Sequence, residues 1–347
     1  MGIKRYTAEA DNTITNAYKP NLRSRATGSN MGLSDSVEVF YIYGQQDSGS
    51  SELSRVLIQF PMTQITTDRT NGVLPASGNV SFHLRMFNAR HPYTLPREYN
   101  MIVSTVSRAW NEGTGLDMED YSNSGSSNWT TAGSASSGVT AWTTAGGDYH
   151  AEPRFTASFE DGTEDIEIDV SDAVERWLAG SRDNYGFGVR MEDETALSSS
   201  YTKKFFARGT EFFFRRPLIE ARWDSATRDD RGNFYFSSSL ATSEDNLNTV
   251  YLYNHVRGRL RDIPDIGTGS IHVSIYSGSA DNSEPTGSRI VKVVDGTHVI
   301  TDNPYVVTGG HVSTGIYSAS FALTAASNPL TTAFDVWHSG TTQFATS

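Results

Sequence analysis

Residues 164–191 read EDIEIDVSDAVERWLAGSRDNYGFGVRM, and this stretch decides the fold that the sequence predicts. Ile166 and Ile168 alternate with acidic residues, which is the period-two pattern of a half-buried strand. The period then changes, because the apolar residues of 173–178 recur at the spacing of one helix face. Gly180 follows at the point where a helix often ends in a left-handed residue. The stretch therefore predicts a strand followed by a two-turn helix.

This helix has to pack against a sheet, since isolated helices shorter than about 12 residues are marginal in water. Trp177 is its expected anchor, because burying a large aromatic side chain contributes about 2 to 3 kcal/mol. Ser171 or Asp169 is expected to cap the first turn. Residues 185–189 alternate again and predict the next strand. The helix is therefore expected to plug one end of a β-sandwich.

Outside this stretch the chain reads as strands separated by turns rich in Gly, Ser, Thr and Asn. In the first part, strands are predicted at 37–43, 55–60, 80–87, 99–110, 204–207 and 217–223. In the second part, they are predicted at 233–237, 249–254, 270–276, 289–294, 298–301, 315–323 and 332–337. The sequence therefore predicts an all-β protein of two β-sandwich domains, of jelly-roll or immunoglobulin-like type, with one short helix plugging the first.

The length of 347 residues also favours two domains, since one domain usually takes roughly 150 residues. The first domain is predicted at 1–223. Its polar N-terminal arm at 8–31 is expected to begin with a short strand near Thr13 and Ile14 and to continue in an extended conformation. The charged and turn-rich segment DSATRDDRG, at 224–232, is the predicted linker. The second domain is predicted at 233–347. The arm and the C-terminal segment are expected to dock onto partner chains.

The composition excludes several classes of function. A net charge of −12 argues against general nucleic-acid binding, which requires basic surface to neutralise phosphates. The chain contains no cysteine, which excludes disulfides, thiolate catalysis and cysteine-type zinc sites. The sequence contains neither the roughly 18 consecutive apolar residues of a membrane helix nor an N-terminal secretory signal. We therefore expect a protein made in a cytoplasm that binds neither nucleic acid nor membrane.

A long polar loop at 111–152 holds three candidate ligand-binding aromatic residues, Trp129, Trp142 and Tyr149. Large flat side chains on a rigid rim can stack on the apolar faces of sugars, so these residues could form a glycan-binding platform. The alternative is that they pin the loop to the sandwich by burying their area, and this interpretation is favoured. Trp110 and Trp177 are predicted to be structural anchors in the core.

Four acidic residues are candidate ligands of a calcium ion, since Ca²⁺ takes six to eight oxygen ligands. Asp165, Glu167 and Asp169 share one face of the predicted strand, and Asp148 follows a Gly-Gly pair. The favoured alternative is that the first three form the solvent face of an edge strand. A Gly-Gly-Asp turn likewise needs no ligand. No other cofactor is expected.

The sequence contains none of the catalytic motifs considered. The eight histidines are scattered, and there is no His-Glu-x-x-His pair, no Gly-x-Ser-x-Gly elbow and no phosphate-binding Gly-rich loop before a lysine. Glu112 and Asp117 are a carboxylate pair of the kind that glycosidases use, but any acidic β protein offers such pairs. The sequence therefore predicts a protein that is not an enzyme.

Several segments occur in a characteristic order: RVLIQF, VSRAWNEGTG, SNWTTAG, AWTTAGGDY, IDVSDAVERWLAGSRDNYGFGV, KKFFARG and RPLIEARW. This succession, over the first 223 residues, resembles the β-sandwich domain called DNRLRE, which is similar to a family of polysaccharide-binding modules. The sequence departs from that family at 207–209, where Ala-Arg-Gly stands in place of the more frequent Ser-Arg-Glu. The opening IKRYTAEADNTITNAY resembles virion structural proteins of tailed phages, especially cyanophage-like myoviruses.

These resemblances imply two functions. The first is a virion structural protein of a tailed phage, in the tail, neck or baseplate rather than as capsid decoration, that contacts copies of itself and other virion proteins. The second is a carbohydrate-binding module that mediates adhesion to surface polysaccharide through the loop aromatics. Under the first hypothesis the protein is made in the host cytoplasm and located in the virion.

Overall fold

The computed structural model describes residues 2–42, 51–92, 97–122, 125–135, 138–195, 200–225, 229–242, 244–277, 293–294, 306–323 and 332–339. Strands predominate in these residues, which confirms the predicted all-β class. The chain divides into two compact units, Met1–Ser225 and Ala226–Ser347. This boundary lies inside the predicted linker. Residues 229–232 are folded into the second unit, because Arg231 pairs with Asp335 there.

The first unit contains fifteen strands and two α-helices among its described residues. The strands are β1 (Gly2–Thr7), β2 (Ala10–Thr15), β3 (Ser29–Asn30), β4 (Ser36–Ile42), β5 (Glu52–Gln59), β6 (Val80–Met86), β7 (Tyr99–Val106), β8 (Asp117–Ser122), β9 (Thr131–Ala135), β10 (Gly138–Ala141), β11 (Tyr149–Phe159), β12 (Ile166–Asp169), β13 (Phe187–Met191), β14 (Ser200–Phe206) and β15 (Leu218–Trp223). The helices are α1 (Met62–Thr70) and α2 (Ser171–Leu178).

Two antiparallel sheets of the first unit enclose its main core. One has the strand order β1-β15-β6-β12, and the other has the order β11-β7-β13-β5-β4-β14, with β2 paired to β5. Strand β6 shows how the sequence builds this core, because its residues alternate between the core and the other face. Its buried residues are Val80, Phe82, Leu84 and Met86.

The stretch at 164–191 joins the two sheets. Strand β12 pairs with β6 in the four-stranded sheet, whereas β13 pairs with β5 and β7 in the other sheet. Helix α2 lies between the two strands in sequence and buries Ala173, Val174 and Trp177. The Trp177 ring lies 4.8 Å from that of Phe187 in β13. The predicted strand, helix, strand unit and the anchoring role of Trp177 are confirmed.

The ends of α2 agree only in part with the predicted caps. The Ser171 amide donates to Asp169 Oδ1 at 2.8 Å, but the Ser171 hydroxyl accepts from the amide of Phe82 in the neighbouring strand. Ser171 therefore does not cap the helix, because its side chain bonds the sheet instead. Gly180 has φ +68°, and its amide donates to Trp177 O, which confirms the left-handed end.

Helix α1 was absent from the sequence prediction, which had only one helix in this domain. Its sequence, MTQITTDRT, has no apolar face, and only Ile65 is buried. Tertiary contacts hold it instead, since Arg69 donates to both carboxylate oxygens of Glu175 in α2, at 2.7 and 2.6 Å. Hydrophobic periodicity therefore could not reveal it.

The short strand predicted near Thr13 and Ile14 is present and is longer than predicted, whereas the prediction of an extended arm over the rest of 8–31 is wrong. Ala10–Thr15 form β2, which pairs along its whole length with β5. Asp11, Asn12 and Ile14 are buried. The polar composition misled the prediction, because these polar side chains bond to other parts of the unit rather than to water.

The second unit contains a six-stranded sheet and a small hairpin among its described residues. Its strands are β16 (Asn248–Tyr253), β17 (His255–Val256), β18 (Arg259–Leu260), β19 (Ile271–Ser277), β20 (Val293–Val294), β21 (Val306–Ser313), β22 (Ile316–Leu323) and β23 (Ala333–His338). The main sheet has the order β16-β22-β21-β19-β23, with β20 beside β22. Its core includes Val250, Val273 and Phe321.

Three predicted strands of this unit differ from the structure or lie wholly or mostly outside the described residues, and one observed strand was not predicted. Residues 233–237 form no strand, and Phe236 makes a single bridge to Leu323. Strand β21 was not predicted, because its sequence, VVTGGHVS, contains a Gly pair that reads as a turn. The predicted strand at 298–301 and most of the one at 289–294 lie outside the described residues.

Candidate functional site

The aromatic residues of the long loop face inward. Trp129 is 7% exposed and Trp142 is 5% exposed. They form a second, smaller core with Leu57 and Val106 on the outer face of the larger sheet. The Trp142 indole also donates to Asn128 O at 2.8 Å. The two tryptophans therefore do not stand on an exposed rim, and their burial agrees with the favoured interpretation, in which they pin the loop to the sandwich.

Tyr149 also packs against this smaller core. Its ring fills the space above Gly188 in β13, where an added Cβ would lie 2.0 Å from a ring carbon. Its hydroxyl donates to Gly146 O at 2.8 Å, and burial raises its pKa to about 12. The Arg55 guanidinium lies 5.2 Å from the Trp129 ring and pairs with Glu194. The Tyr149 side chain is therefore bonded and packed within the fold.

Trp110 is packed within the fold at the start of the loop. It is 8% exposed and belongs to the same small core as Trp129. Its indole donates to Tyr185 O at 2.8 Å, which ties the start of the loop to the connection between α2 and β13. This bond satisfies the polar end of a buried side chain.

Each of the four candidate calcium ligands is bonded to other groups of the protein. Asp148 accepts from Arg108 Nε at 2.8 Å and from the amides of residues 143 and 144. Asp165 accepts from the Asn88 amide, and Asp169 accepts from the Ser171 amide. Glu167 pairs with Arg222 at 2.5 Å. Within the part of the chain that the structure describes, no three His, Asp or Glu side chains are grouped to hold a metal ion.

A partly buried ionic cluster links three distant segments, and the sequence did not predict it. Arg208 donates to both oxygens of Glu112, at 2.6 and 2.5 Å, and its amide donates to Asp11 Oδ2. Burial raises the pKa of Asp11 to about 7, with a smaller rise from Glu112 that Arg208 opposes. Glu112 is thereby held in an ion pair. These bonds connect the segment NEG, at 111–113, with the segment ARG, at 207–209.

Lys203 is a second buried charge, at the end of the first unit opposite the helices. Its ammonium donates to Asn88 Oδ1 at 2.8 Å, Gly162 O at 2.9 Å and Glu164 O at 2.8 Å. Burial lowers its pKa to about 8, although Glu164 and Asp165 favour the charged form. The ammonium holds together the β6–β7 and β11–β12 connections at this end.

Three exposed phenylalanines lie at the same end, between β14 and β15. Phe212, Phe213 and Phe214 are 55%, 61% and 83% exposed, and we call them the aromatic ridge. The rings of Phe213 and Phe214 contact each other, with centroids 5.5 Å apart. Sequence analysis missed this site, although the string EFFFRRP offered a signal. Successive side chains of a strand point to opposite faces of the sheet, so three consecutive phenylalanines cannot all point into the core.

A basic cleft borders the aromatic ridge. It is an open cavity of about 880 Å³, and its rim includes Arg90, His91 and Arg215. Phe212 forms part of its wall, and the Asp165 carboxylate at its edge accepts from the Asn88 amide. Burial and the nearby Lys204 and Lys203 lower the pKa of His91. The positive charge of the cleft therefore comes from Arg90 and Arg215, with the Asp165 carboxylate at its edge, on a molecule of net charge −12.

Comparison with known proteins adds no relative: no family model matches the chain, and no curated protein is similar to it. None of the described helices is long and apolar enough to cross a membrane. The aromatic ridge and the basic cleft are therefore evaluated on their chemistry alone. Exposed phenylalanine beside arginine can bury apolar area and pair with acidic groups at the same time.

Proposed function

We propose that this chain is a non-enzymatic structural protein that acts by binding other proteins, as a component of a tailed-phage particle. The observation that carries the proposal is the aromatic ridge, because aromatic residues and arginine are enriched at protein interfaces. The particle setting rests on the resemblance of the N-terminal segment to virion proteins. A tail, neck or baseplate position follows from that resemblance.

The size of the ridge supports an interface. A phenylalanine side chain can bury at least about 150 Å², so the exposed parts of the three rings amount to roughly 300 to 400 Å². This matches the largest apolar patch of an ordinary monomer, and such patches are often functional. Leaving three adjacent rings in water is unfavourable, so a partner that covers them would gain binding energy.

The remainder of the first unit suits a rigid scaffold. Two cores, one between the sheets and one beneath the long loop, hold the connections in place. Glu112, the carboxylate considered for glycoside hydrolysis, is paired with Arg208. These features support a role in presenting a surface rather than in chemistry.

Polysaccharide binding is the competing function, and it follows from the resemblance to DNRLRE domains. Since the loop tryptophans are buried, a sugar would have to stack on other rings. Phe213 and Phe214 are exposed rings, and the Phe213 ring lies near the Arg216 side chain. Both proposed functions would therefore use the aromatic ridge. Variants of its phenylalanines can distinguish them.

The test is immunogold labelling of particles isolated from the cells that carry the gene, with antibodies raised against the purified protein. We expect gold particles at one defined position on the virion, and no labelling with pre-immune serum. Labelling confined to cell debris would count against the proposal. Binding of the pure protein to a polysaccharide panel, lost in Phe213→Ser, would instead establish the competing function.

A further inference from the structure

We propose that the aromatic ridge and the basic cleft dock onto the acidic surface of a second copy of this chain. The contact would join two different surfaces, so each copy could use its ridge on one neighbour and its acidic surface on another. The inference rests on the proposed function, because it identifies one of the contacts from which the particle would be built.

Charge complementarity identifies the second copy as the partner. Arg90 and Arg215 line the cleft beside Phe212, Arg216 lies against Phe213, and Glu211 precedes the ridge, whereas the chain as a whole has 40 acidic and 28 basic residues. The surface of a second copy is therefore mostly negative, and it attracts this basic region. A ridge placed against another ridge would instead bring two arginine clusters together. The favoured contact is therefore between unlike surfaces.

The ridge is organised before any partner arrives. Residues Phe213–Arg215 form a 3-10 turn. Arg216 follows this turn and donates from Nε and Nη2 to Thr210 O, at 3.2 and 3.1 Å. Its guanidinium lies 5.4 Å from the Phe213 ring, and Phe212 packs edge-on against Phe206 with centroids 5.6 Å apart. A preorganised surface loses less conformational entropy on binding.

The exposed area of the ridge indicates how much of the interface it would form. A stable interface buries about 800 Å² on each partner, roughly twice the exposed area of the three rings. The ridge is therefore the apolar centre of the interface, and the charged cleft contributes to its polar rim. Repetition of a contact between unlike surfaces produces rings or open chains rather than closed pairs.

The test measures the mass of the full-length protein by sedimentation and light scattering over a range of concentrations. We expect concentration-dependent association at about 0.05 M NaCl that weakens at about 0.5 M, because salt screens charge attraction. The double variant Phe213→Ser/Phe214→Ser and the charge variant Arg215→Glu should each weaken association at least about tenfold. Val139→Ser, at an apolar residue that is 65% exposed, is the matched control and should leave association unchanged.

Three results would overturn the inference. The first is a protein that stays monomeric at every concentration. The second is association that persists in the double variant, and the third is association that strengthens with salt. Circular dichroism of each variant confirms that it is folded, which is expected because the substituted side chains are exposed. A monomeric protein that still labels particles would refute self-docking alone and leave the proposed function standing.

Discussion

Lys203 has no exposed surface, yet its ammonium is bonded by three oxygen atoms. Two of these are backbone carbonyls, and the third is an amide oxygen, a set of neutral acceptors that a bound cation would also use. The positive charge is therefore satisfied by dipoles rather than by a direct ion pair. This explains why burial lowers its pKa although Glu164 and Asp165 lie nearby.

The pKa of Lys203 predicts how stability changes with pH. Because its pKa is about 8 in the folded chain and about 10.4 when unfolded, the unfolded chain binds more protons between these values. The contribution of Lys203 to the free energy of unfolding should therefore rise by about 3 kcal/mol from pH 8 to pH 10.5. Urea denaturation of the wild type and of Lys203→Met at several pH values measures this difference.

The neighbouring Lys204 provides the control for this experiment. It is half-buried and pairs with Glu38. Lys204→Met should keep the rise in stability above pH 8, whereas Lys203→Met should lose it. An identical pH dependence in the wild type and in Lys203→Met would show that the buried ammonium keeps an ordinary pKa.

Individual residues were predictable from sequence where they follow the usual preference of their type. Trp110 and Trp177 are large and apolar, and both are buried as expected. Lys203 and Phe214 reverse the preference, since the lysine is buried and the phenylalanine is 83% exposed. Their positions depend on oxygen atoms and connections brought together by folding, which a single sequence does not display.

At the scale of elements, the long loop behaves as part of the core. Its tryptophans cover the outer face of the larger sheet, where Leu57 and Val106 would otherwise meet water. Composition predicted a loop rich in Gly, Ser, Thr and Asn, and it also favoured burial of the aromatic residues. It could not show which face of the sheet they cover, because that depends on the topology of the strands.

Truncating a loop tryptophan should therefore destabilise the first unit. Trp142→Ala removes a buried ring and its hydrogen bond to Asn128 O, so we expect a loss of about 3 to 5 kcal/mol in the free energy of unfolding. Val139→Ser, in β10 of the same loop, should change it by less than about 0.5 kcal/mol. Urea denaturation compares the two variants, and equal effects would mean that the loop does not cover the sheet.

The two helices show what periodicity can and cannot predict. Helix α2 has an apolar face that its sequence displays, and its boundaries were predicted closely. Helix α1 has one buried residue and is held by the ion pair between Arg69 and Glu175. A helix fixed by a contact that spans about a hundred residues of sequence cannot be read from its own nine residues.

At the scale of the whole molecule, each unit has a hydrophobic core of its own. The first unit has the core between its sheets, and the second is centred on residues such as Val273 and Ile275. The all-β class and the approximate boundary between the units were predictable, because alternation and turn residues are local signals. The pairing partners of β1 and β2 were not, since they lie far away in sequence.

Separate cores predict two unfolding transitions in calorimetry. Trp177→Ala should lower the midpoint of one transition by roughly 10 °C and leave the other in place. Val273→Ala should lower only the second midpoint. A single transition that shifts as a whole in both variants would show that the units unfold as one cooperative body.

The pairing of β1 with β15 has a consequence for biosynthesis. Gly2 lies opposite Trp223, so the first strand leaves the ribosome about 200 residues before its partner. At a synthesis rate of about 5 to 20 residues per second, β1 waits on the order of 10 to 40 s for that partner. During this interval Lys4 and Arg5 keep the nascent segment charged, which discourages pairing with the strands of neighbouring nascent chains.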